Sequence, residues 1–496
     1  GLLILYGVGT MIGPIYAAFL MESFGPEGMF QAVGTSAVAY AAYSYYRTYR
    51  REALPVDERA DFQTVPLART QTPTSFTLDP RAEASITAEE ELAASDTLLI
   101  IQDLDGVCMG LVRDPLTRQL ERRYIDAARR LDGAFYVLTN GEHIGRRGVN
   151  QLIHGALASE TLAAEQGLYL PGLAAGGVQL QDRFGAVSHP GVSDAELAFL
   201  RAVPDQAEQF LIEMLTQAPF ALPTDEAVAL ASTCVLDNPA SPTVNLNPVH
   251  HRFVDTPDRY LHAQRRTAEL IDRLLTTAAE RGLADSFFVH YAPNLGRDAC
   301  GDELVKFADG DNAGTTDFQF MLKGAIKEVG VLVILNHYAH RLPGHWPLGE
   351  GFNARDAPQD HDQLLALAQE RFDPAWMPRM VGVGDTVTAY PQADGKQTRY
   401  QRGGSDRGFL TLVQALGERF GTDNAVVYVD SSAGEVRRPG VDAAGLQQAH
   451  GDRAVAVAAM RGISDPEDPL RPNLILPGGH TQYIDWFCAL AAQRSR

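Results

Sequence analysis

The chain has 496 residues, a formal net charge of −20 and four widely spaced cysteines. This length allows two or three domains with a sizeable core. The acidic balance argues against nucleic-acid binding, because phosphate backbones are bound by clustered Lys and Arg. The cysteine spacing indicates neither a disulfide framework nor a CxxC zinc site, and it favours a reducing, cytoplasmic location.

The N-terminal region contains two uncharged runs, residues 2–21 and 29–46, which are mostly apolar. Each run is long enough, at about 1.5 Å per residue in a helix, to cross the apolar core of a bilayer. Tyrosines crowd the end of the second run and arginines follow directly, which predicts that the chain emerges in the cytoplasm. The region resembles the last two helices of a major facilitator superfamily transporter. Residues 1–51 are therefore interpreted as two transmembrane helices of a transporter-like fragment, with a buried helical hairpin of a soluble domain as the alternative.

Residues 52–96 are rich in Pro, Thr, Glu and Asp and show little periodicity. This composition predicts a linker. An alternative divides the tract between the tail of the transporter-like fragment and the leading segment of the next domain. Because the chain begins with Gly1, we expect it to be a fragment of a longer protein.

Residues 97–110 read TLLIIQDLDGVCMG and contain the strongest motif of the chain. Thr97–Gln102 is mostly apolar and β-prone, which predicts a buried parallel strand that delivers Asp103 and Asp105 onto the next turn. Gly106 permits a sharp bend there. Two carboxylates so placed can hold a divalent cation and still present an oxygen to a phosphorus atom. The pattern favours a metal-dependent phosphatase over the alternative that both aspartates are ordinary turn residues.

A helix and a second strand follow this turn. Residues 117–131 have the spacing of an amphipathic helix, and residues 134–141 predict a strand that ends at Thr139. The stretch from Asp103 to Thr139 is too short for a large insertion, so the mixed segment 142–301 is predicted to form a separate α+β cap. A cap that closes over the site and contacts the far end of the substrate favours a sugar phosphate over a phosphoprotein.

Further strands are predicted towards the C-terminus. The segment RMVGVGDTVTAYP, residues 379–391, predicts a strand that ends near Asp385, and AVVYVDSS predicts one that ends at Asp430. The pieces AVAVAAMRG and LILPGGH are predicted to extend the same parallel sheet. Because function in open α/β sheets lies at the carboxyl ends of strands, Asp103, Thr139 and Asp385 are expected to meet at one edge.

The string DLDGV after an apolar strand resembles the first motif of the haloacid dehalogenase-like phosphatases, and Thr139 and Asp385 follow in the order of the later motifs. The resemblance implies an α/β fold with a Rossmann-like parallel sheet core. That core would be formed by residues 97–141 and 302–496, with an inserted C2-type cap between them.

The same resemblance implies roles for the site residues. Asp103 would be the nucleophile, Asp105 the acid/base, and Thr139 a hydroxyl that binds a phosphoryl oxygen. Mg²⁺ would be held by Asp103, the main-chain carbonyl of Asp105, and Asp385. The remaining metal ligand stays open, with Asp406 or water as candidates.

The family also has a lysine that neutralises the phosphate and the nucleophile. Residues 314–330 predict a helix that an apolar strand, VLVILN, follows. Lys306 lies ahead of this helix and is favoured, because a lysine entering from a loop fits the family better than one on a helical face. Lys323 and Lys327, within the predicted helix, stay open as alternatives.

Longer strings carry a narrower resemblance. They are QDLDGVCMGLVRDPLTR, NPVHHRFVDTPDRY, TTDFQFMLKGAIKEVG, VGVGDTVTAYP, QRGGSDRGFLTLVQ and YVDSSAGEVRRP. From about Thr77 to the C-terminus the chain is similar to glucosylglycerol 3-phosphate phosphatases. The resemblance implies 2-O-glucosylglycerol 3-phosphate as substrate, and glucosylglycerol, a compatible solute of salt-stressed bacteria, as product.

Two alternatives to this interpretation remain. Within the same enzyme class, the substrate could be a trehalose, sucrose or mannosylglycerate phosphate. In a different class, the chain could be a membrane transporter whose soluble part senses a solute without catalysis. The preferred interpretation is a cytoplasmic phosphatase domain, tethered to the inner membrane if the N-terminal helices are genuine, with a small-molecule sugar phosphate as its partner.

Overall fold

The computed structural model divides into two units, residues 1–70 and 71–496. It describes Met21, Ser95 and residues 97–298, 302–309, 312–342, 344–394, 397–449 and 452–494. The predicted membrane segment and linker therefore lie almost wholly outside the described residues. Among the residues that are described, no helix combines the length and apolarity needed to cross a membrane.

The elements of the second unit alternate between strands and helices. The strands are β1 (Leu98–Gln102), β2 (Phe135–Leu138), β3 (Gly172–Ala174), β4 (Gln179–Gln181), β5 (Val187–Ser188), β6 (Val235–Leu236), β7 (Thr243–Asn245), β8 (Phe287–Ala292), β9 (Asn294–Arg297), β10 (Glu303–Val305), β11 (Asp317–Leu322), β12 (Arg379–Gly384), β13 (Thr388–Asp394), β14 (Gln397–Gly403), β15 (Ala425–Val429) and β16 (Leu474–Leu476). The helices are α1 (Arg122–Arg130), α2 (Val149–Leu157), α3 (Glu160–Gln166), α4 (Asp194–Arg201), α5 (Val203–Thr216), α6 (Thr224–Cys234), α7 (Asn247–Arg252), α8 (Pro257–Glu280), α9 (Lys327–Arg341), α10 (His361–Arg371), α11 (Arg407–Phe420), α12 (Ala443–Ala449), α13 (Arg453–Ala458) and α14 (Gly479–Arg494).

A mainly parallel sheet forms the core of this unit. Its strand order is β16-β15-β12-β1-β2-β3-β4-β5. The β3–β4 and β4–β5 pairs are antiparallel, and the other pairs are parallel. Every residue of β1 is buried, as expected for a parallel strand covered on both faces. Leu98 and Ile100 pack into one apolar layer, and Leu99 and Ile101 pack into the other. The predicted parallel sheet core is thus confirmed.

Helices cover both faces of this sheet. On one face α1 and α14 pack together, where the ring centroid of Phe487 lies 5.1 Å from that of Tyr124 and 5.2 Å from that of Phe135. On the other face α9 and α11 pack against each other and against the central strands. These two layers fix the strand ends that carry the candidate site.

A second, antiparallel sheet has the order β6-β7-β11-β8. Its apolar face packs against helices through stacked aromatic rings: the centroid of Phe199 lies 5.1 Å from that of Phe287 and 5.9 Å from that of Phe320. We call this sheet and its helices the cap. Its strands lie between β5 and α9 in the chain.

The predicted cap boundaries, 142–301, differ from these sheets. Strands β3 to β5 fall inside that range but extend the core sheet, whereas β11 falls beyond it but pairs with β7 and β8. Short strands of two or three residues carry no apolar run from which a sheet could be assigned. The cap boundaries predicted from the sequence therefore lie too early in the chain.

The predicted helix over 314–330 is also wrong. The segment forms strand β11, a turn at Gly324, where φ is +86°, and then the start of α9. The run VLVILN, predicted as a strand, lies inside α9, where every residue from Val329 to Asn336 is buried. A run that is buried on all sides has no period, so a helix and a strand look alike in sequence. The segment AVAVAAMRG was mistaken for a strand in the same way, since it lies mostly in α13.

Candidate active site

Four polar side chains directly follow the carboxyl ends of parallel strands. Asp103 follows β1, Thr139 follows β2, Asp385 follows β12 and Asp430 follows β15. These strands are neighbours in the sheet, and the backbone N–H of Asp103 donates to the carbonyl of Val383 over 2.9 Å. The four residues therefore line one edge of the sheet, where ligands bind in open α/β folds.

Three buried carboxylates converge at this edge. One oxygen from each of Asp103, Asp385 and Asp406 lies within 4.8 Å of the others. Burial raises the pKa of Asp103 to about 7, although the nearby Lys327 acts to lower it. Burial, together with the charges of the two other carboxylates, raises the pKa of Asp385 well above its ordinary value. Mutual repulsion within the cluster therefore opposes ionisation of all three carboxylates together.

Lys327, the first residue of α9, lies among these carboxylates. Its Nζ is 2.9 Å from Oδ1 of Asp103 and 2.7 Å from Oδ1 of Asp406. Burial acts to lower the pKa of Lys327, but the two carboxylates outweigh it and raise the pKa above its ordinary value. Lys327 is therefore a buried ammonium paired with Asp103, the candidate nucleophile.

The sequence favoured Lys306 for this position, and the geometry contradicts that choice. Nζ of Lys306 lies 5.9 Å from the ring centroid of Tyr390, and its backbone N–H donates to Thr315. Lys306 follows β10, next to the cap, whereas the start of α9 points at Asp103. Lys327 could be recognised in sequence only if α9 were known to begin after the turn at Gly324.

Asp406 holds the loop that carries Asp385. Its Oδ2 accepts hydrogen bonds from the backbone N–H groups of Asp385 and Thr386, each over 3.0 Å, and its Oδ1 accepts from Lys327. The β13–β14 hairpin separates Asp385 from Asp406 in sequence. Because both oxygens of Asp406 are already engaged, its contacts suit it to positioning Asp385 and Lys327.

The proposed acid/base and the candidate hydroxyl also lie close together. A Cβ built on Gly141 would lie 3.5 Å from Oγ1 of Thr139 and 3.8 Å from Oδ2 of Asp105. Both carboxylate oxygens of Asp105 accept from Nη1 of Arg118, over 3.1 and 3.0 Å. No sequence signal pointed to Arg118, which follows a short 3₁₀ turn between β1 and α1.

The donor set fits a divalent cation. Oδ2 of Asp385 is buried and accepts no hydrogen bond from the residues that the structure describes. Three carboxylates facing one ammonium leave an excess of negative charge, and oxygen-only donors suit Mg²⁺. Asp103, Asp385 and the main-chain carbonyl of Asp105 are the groups that could bind it.

Gly106 permits the close approach of two strand-end loops. Its φ is +83°, and a Cβ added to it would lie 2.2 Å from Oδ2 of Asp385. A Gly106→Ala variant is expected to lose most of the activity of this site, on the order of 10²-fold, because the carboxylate of Asp385 would be displaced from a position in which it could bind a cation. Steady-state kinetics across a Mg²⁺ titration would check this. An Ala variant with wild-type activity at every Mg²⁺ concentration would contradict it, and Gly421→Ala, with no atom within 4 Å of its added Cβ, is the control.

Glu142 links the loop after β2 to the cap. Its Oε1 accepts from the backbone N–H groups of Ala240 and Ser241, both over 2.7 Å, and from the hydroxyl of Ser241 over 3.0 Å. Its Oε2 accepts from Nε2 of Gln179 over 2.6 Å. Burial outweighs these four donors and raises the pKa of Glu142 to about 7.

This shift predicts a pH dependence of stability. The pKa of Glu142 is raised from 4.5 to about 7, so its contribution is complete below pH 4.5 and is lost as the pH rises through 7. Relative to a Glu142→Gln variant, the wild-type protein is expected to lose about 3 kcal/mol of unfolding free energy across that window. Denaturant unfolding from pH 4.5 to 8 would measure the difference. Parallel pH curves for the two proteins would contradict the prediction.

Comparison with solved structures gives weak similarities. The C-terminal domain of trehalose-6-phosphate phosphatase from C. albicans is 10% identical, with a TM-score of 0.37, and the match covers 84% of this chain and 99% of that chain. Trehalose-6-phosphate phosphatase from Aspergillus fumigatus is 11% identical, with a TM-score of 0.27, covering 70% and 88%. Similarity at this level supports no statement about this chain.

Comparison at the sequence level is much stronger. A relative from Synechocystis sp., named glucosylglycerol-phosphate phosphatase, is 49% identical over 409 residues, which cover 82% of this chain and 95% of the relative. These comparisons lend no support to the transporter-like interpretation of residues 1–51. A family model described as glucosylglycerol-phosphate phosphatase matches residues 97–491. The chain therefore belongs to the glucosylglycerol-phosphate phosphatase family.

Proposed function

We propose that this chain is a Mg²⁺-dependent phosphomonoesterase that releases phosphate from 2-O-glucosylglycerol 3-phosphate. The observation that carries the proposal is the buried contact between Asp103 and Lys327 beside Asp385, at the carboxyl edge of the sheet. A carboxylate, an ammonium and a cation site so close together suit attack on a phosphate dianion. The relative that is 49% identical supports the substrate, and through it a role in compatible-solute synthesis.

In the first step, an oxygen of Asp103 attacks phosphorus and the bond from phosphorus to the glycerol oxygen breaks. Asp105 gives a proton to that leaving oxygen, so that glucosylglycerol departs as a neutral alcohol. The phosphoryl group is left on Asp103 as an acyl phosphate. Lys327 neutralises negative charge at the nucleophile, and the hydroxyl of Thr139 can donate to a phosphoryl oxygen.

In the second step, water attacks phosphorus and the bond between phosphorus and the Asp103 oxygen breaks. Asp105, now ionised, takes the proton from that water and returns to its starting state. Bound Mg²⁺ supplies charge neutralisation between the anionic nucleophile and the phosphate dianion. The products are inorganic phosphate and regenerated enzyme.

The core and the cap have separate roles in the proposed reaction. The segments from β1 to β5 and from α9 to α14 form the haloacid dehalogenase-type core, and the cap, which runs from α4 to β11, contacts the sugar end of the substrate. Arg147, in the core, donates to Asp237, in the cap, over 3.0 Å, which supports a cap seated on the core. Hydrolysis of a trehalose, sucrose or mannosylglycerate phosphate is the alternative within the enzyme class.

Phosphate release by the full chain would test this function. Glucosylglycerol 3-phosphate, trehalose 6-phosphate, sucrose 6-phosphate and mannosylglycerate phosphate would be compared at saturating Mg²⁺ and after chelation. The proposal predicts the highest kcat/KM with glucosylglycerol 3-phosphate and loss of turnover without the metal. A higher kcat/KM with another sugar phosphate would overturn the substrate assignment. Binding of the solute with no phosphate release from any ester would instead favour the solute-sensor alternative.

A further inference from the structure

The loop between β2 and α2 forms several hydrogen bonds with the cap. It begins at Thr139 and contains two buried charged side chains, Glu142 and Arg147, which are 4% and 3% exposed. Both use most of their hydrogen bonds on cap residues between 232 and 241. A buried charge is costly unless it is paired, so this cap segment satisfies groups that would otherwise destabilise the loop.

The side chain of Arg147 contacts two separate groups of the cap. Its Nη1 donates to Oδ1 of Asp237 over 3.0 Å, and its Nη2 donates to the carbonyl of Ser232 over 2.7 Å. Ser232 is in α6 and Asp237 follows β6, so both partners belong to the cap. The position of the Arg147 backbone is therefore fixed by the seated cap.

That backbone in turn holds Arg118. Nη2 of Arg118 donates to the carbonyl of Arg147, and its Nε donates to the carbonyl of Pro115 over 3.0 Å. The remaining nitrogen, Nη1, donates to both oxygens of Asp105. All three nitrogens of the guanidinium are thus bonded, and its planar geometry permits little independent movement.

We propose that Arg118 and Arg147 form a relay that couples seating of the cap to the position of Asp105. When the segment 232–241 rests on the loop, Arg147 holds Arg118, and Arg118 holds the proposed acid/base in place. When the cap lifts, as it must to admit a substrate, Arg147 loses its partners and Asp105 loses its support. Proton transfer is then confined to the closed enzyme.

This inference rests on the proposed function, because it assigns Arg118 as a positioning residue for the acid/base. It differs from a purely structural role in one respect. A misplaced Asp105 slows departure of an alkoxide, which needs a proton, far more than departure of p-nitrophenolate, which leaves readily without one. The type of leaving group therefore separates loss of proton transfer from general damage to the site.

The test uses the full chain with Mg²⁺ and three variants: Asp237→Ala, Arg118→Ala and the double variant. Among the described residues, Asp237 and Arg118 share no hydrogen bond or ion pair with each other. The side chain of Asp237 is 40% exposed, but its removal takes the ion-pair partner from Arg147, whose side chain is 1% exposed, so the stability of this variant is measured together with its rates. Single-turnover release of glucosylglycerol from glucosylglycerol 3-phosphate, and of p-nitrophenol from p-nitrophenyl phosphate, is measured. Release of the leaving group reports the first step alone, before Asp105 acts as the base on water. Asp255→Ala in the cap and Arg122→Ala on α1, both exposed, are the matched controls.

Each single variant is expected to slow single turnover of the glucosylglycerol ester by about tenfold or more, with p-nitrophenyl phosphate changed by less than about threefold. The double variant is expected to be no slower than the slower single variant, because both changes break one chain of contacts. Multiplied effects in the double variant, or equal slowing of both esters, would overturn the relay. Thermal unfolding of each variant shows whether a loss reflects unfolding. Arg118→Lys, which keeps one cationic nitrogen, should recover part of the rate.

The two proposals can fail separately. If the wild-type protein hydrolyses p-nitrophenyl phosphate but not glucosylglycerol 3-phosphate, the substrate assignment fails. The relay is then tested with another alkyl phosphate that the wild-type protein hydrolyses, and its rate is compared with that of p-nitrophenyl phosphate in the same way.

Discussion

An Asp103→Asn variant is expected to lose phosphatase activity by at least about 10³-fold, because an amide cannot form the acyl phosphate on which both steps depend. The side chains of Asp and Asn have the same shape, and Lys327 keeps its ion pair with Asp406, so the fold should persist. Phosphate release under saturating Mg²⁺ would measure the loss, and circular dichroism would verify folding.

Asp126→Asn provides the control for this substitution. Asp126 makes an exposed ion pair with Arg122 on α1, so the same chemical change there should leave activity within about twofold. An Asp103→Asn protein that keeps more than about a tenth of the wild-type rate would remove Asp103 from the nucleophile role.

A Lys327→Met variant is expected to lose activity by roughly 10²- to 10⁴-fold and stability by about 3 to 5 kcal/mol. The substitution leaves the buried carboxylates of Asp103 and Asp406 without their shared cation. Steady-state kinetics and denaturant unfolding, each with and without Mg²⁺, would separate the two losses. Because a bound cation also offsets this charge, the loss of stability should be smaller with Mg²⁺.

Lys306→Met is the matched comparison, since Lys306 is the lysine that the sequence favoured. Its ammonium lies over the ring of Tyr390 and forms no ion pair among the described residues. Activity within a fewfold of wild type is expected for Lys306→Met. If Lys306→Met were inactive and both Lys327→Met and Lys327→Arg were folded and active, the assignment of Lys327 would be wrong.

Much of the site could be predicted because parallel strands impose its geometry. Asp103, Thr139 and Asp385 each stand at the end of a short apolar run, and the carboxyl ends of neighbouring parallel strands meet at one edge. The structure places all three at that edge, although their catalytic roles remain proposals.

The lysine could not be chosen from sequence because its helix was misplaced. In DFQFMLKGAIKEVG the apolar spacing suits either a helix or a strand, and the order of these elements decides which lysine reaches the site. The structure ends β11 before Gly324 and begins α9 at Lys327, so that this lysine lies at a helix N-terminus facing Asp103.

No sequence motif marks the residues that connect the core and the cap. Arg118, Glu142 and Arg147 lie in unremarkable loop segments, and the partners of Glu142 and Arg147 in the cap are roughly 90 residues further along the chain. Contacts at such separation depend on how two sheets are placed in space, which no local pattern records.

A rapid-quench experiment tests the central claim most directly. The full chain is mixed with glucosylglycerol 3-phosphate and Mg²⁺ in a single turnover, quenched with acid within milliseconds to seconds, and digested for peptide mass analysis. The account predicts a transient phosphoryl group on the peptide at Asp103, appearing with glucosylglycerol and decaying as phosphate is released. Release of phosphate with no phosphoryl group on Asp103 at any time point, or with one on a different residue, would contradict it.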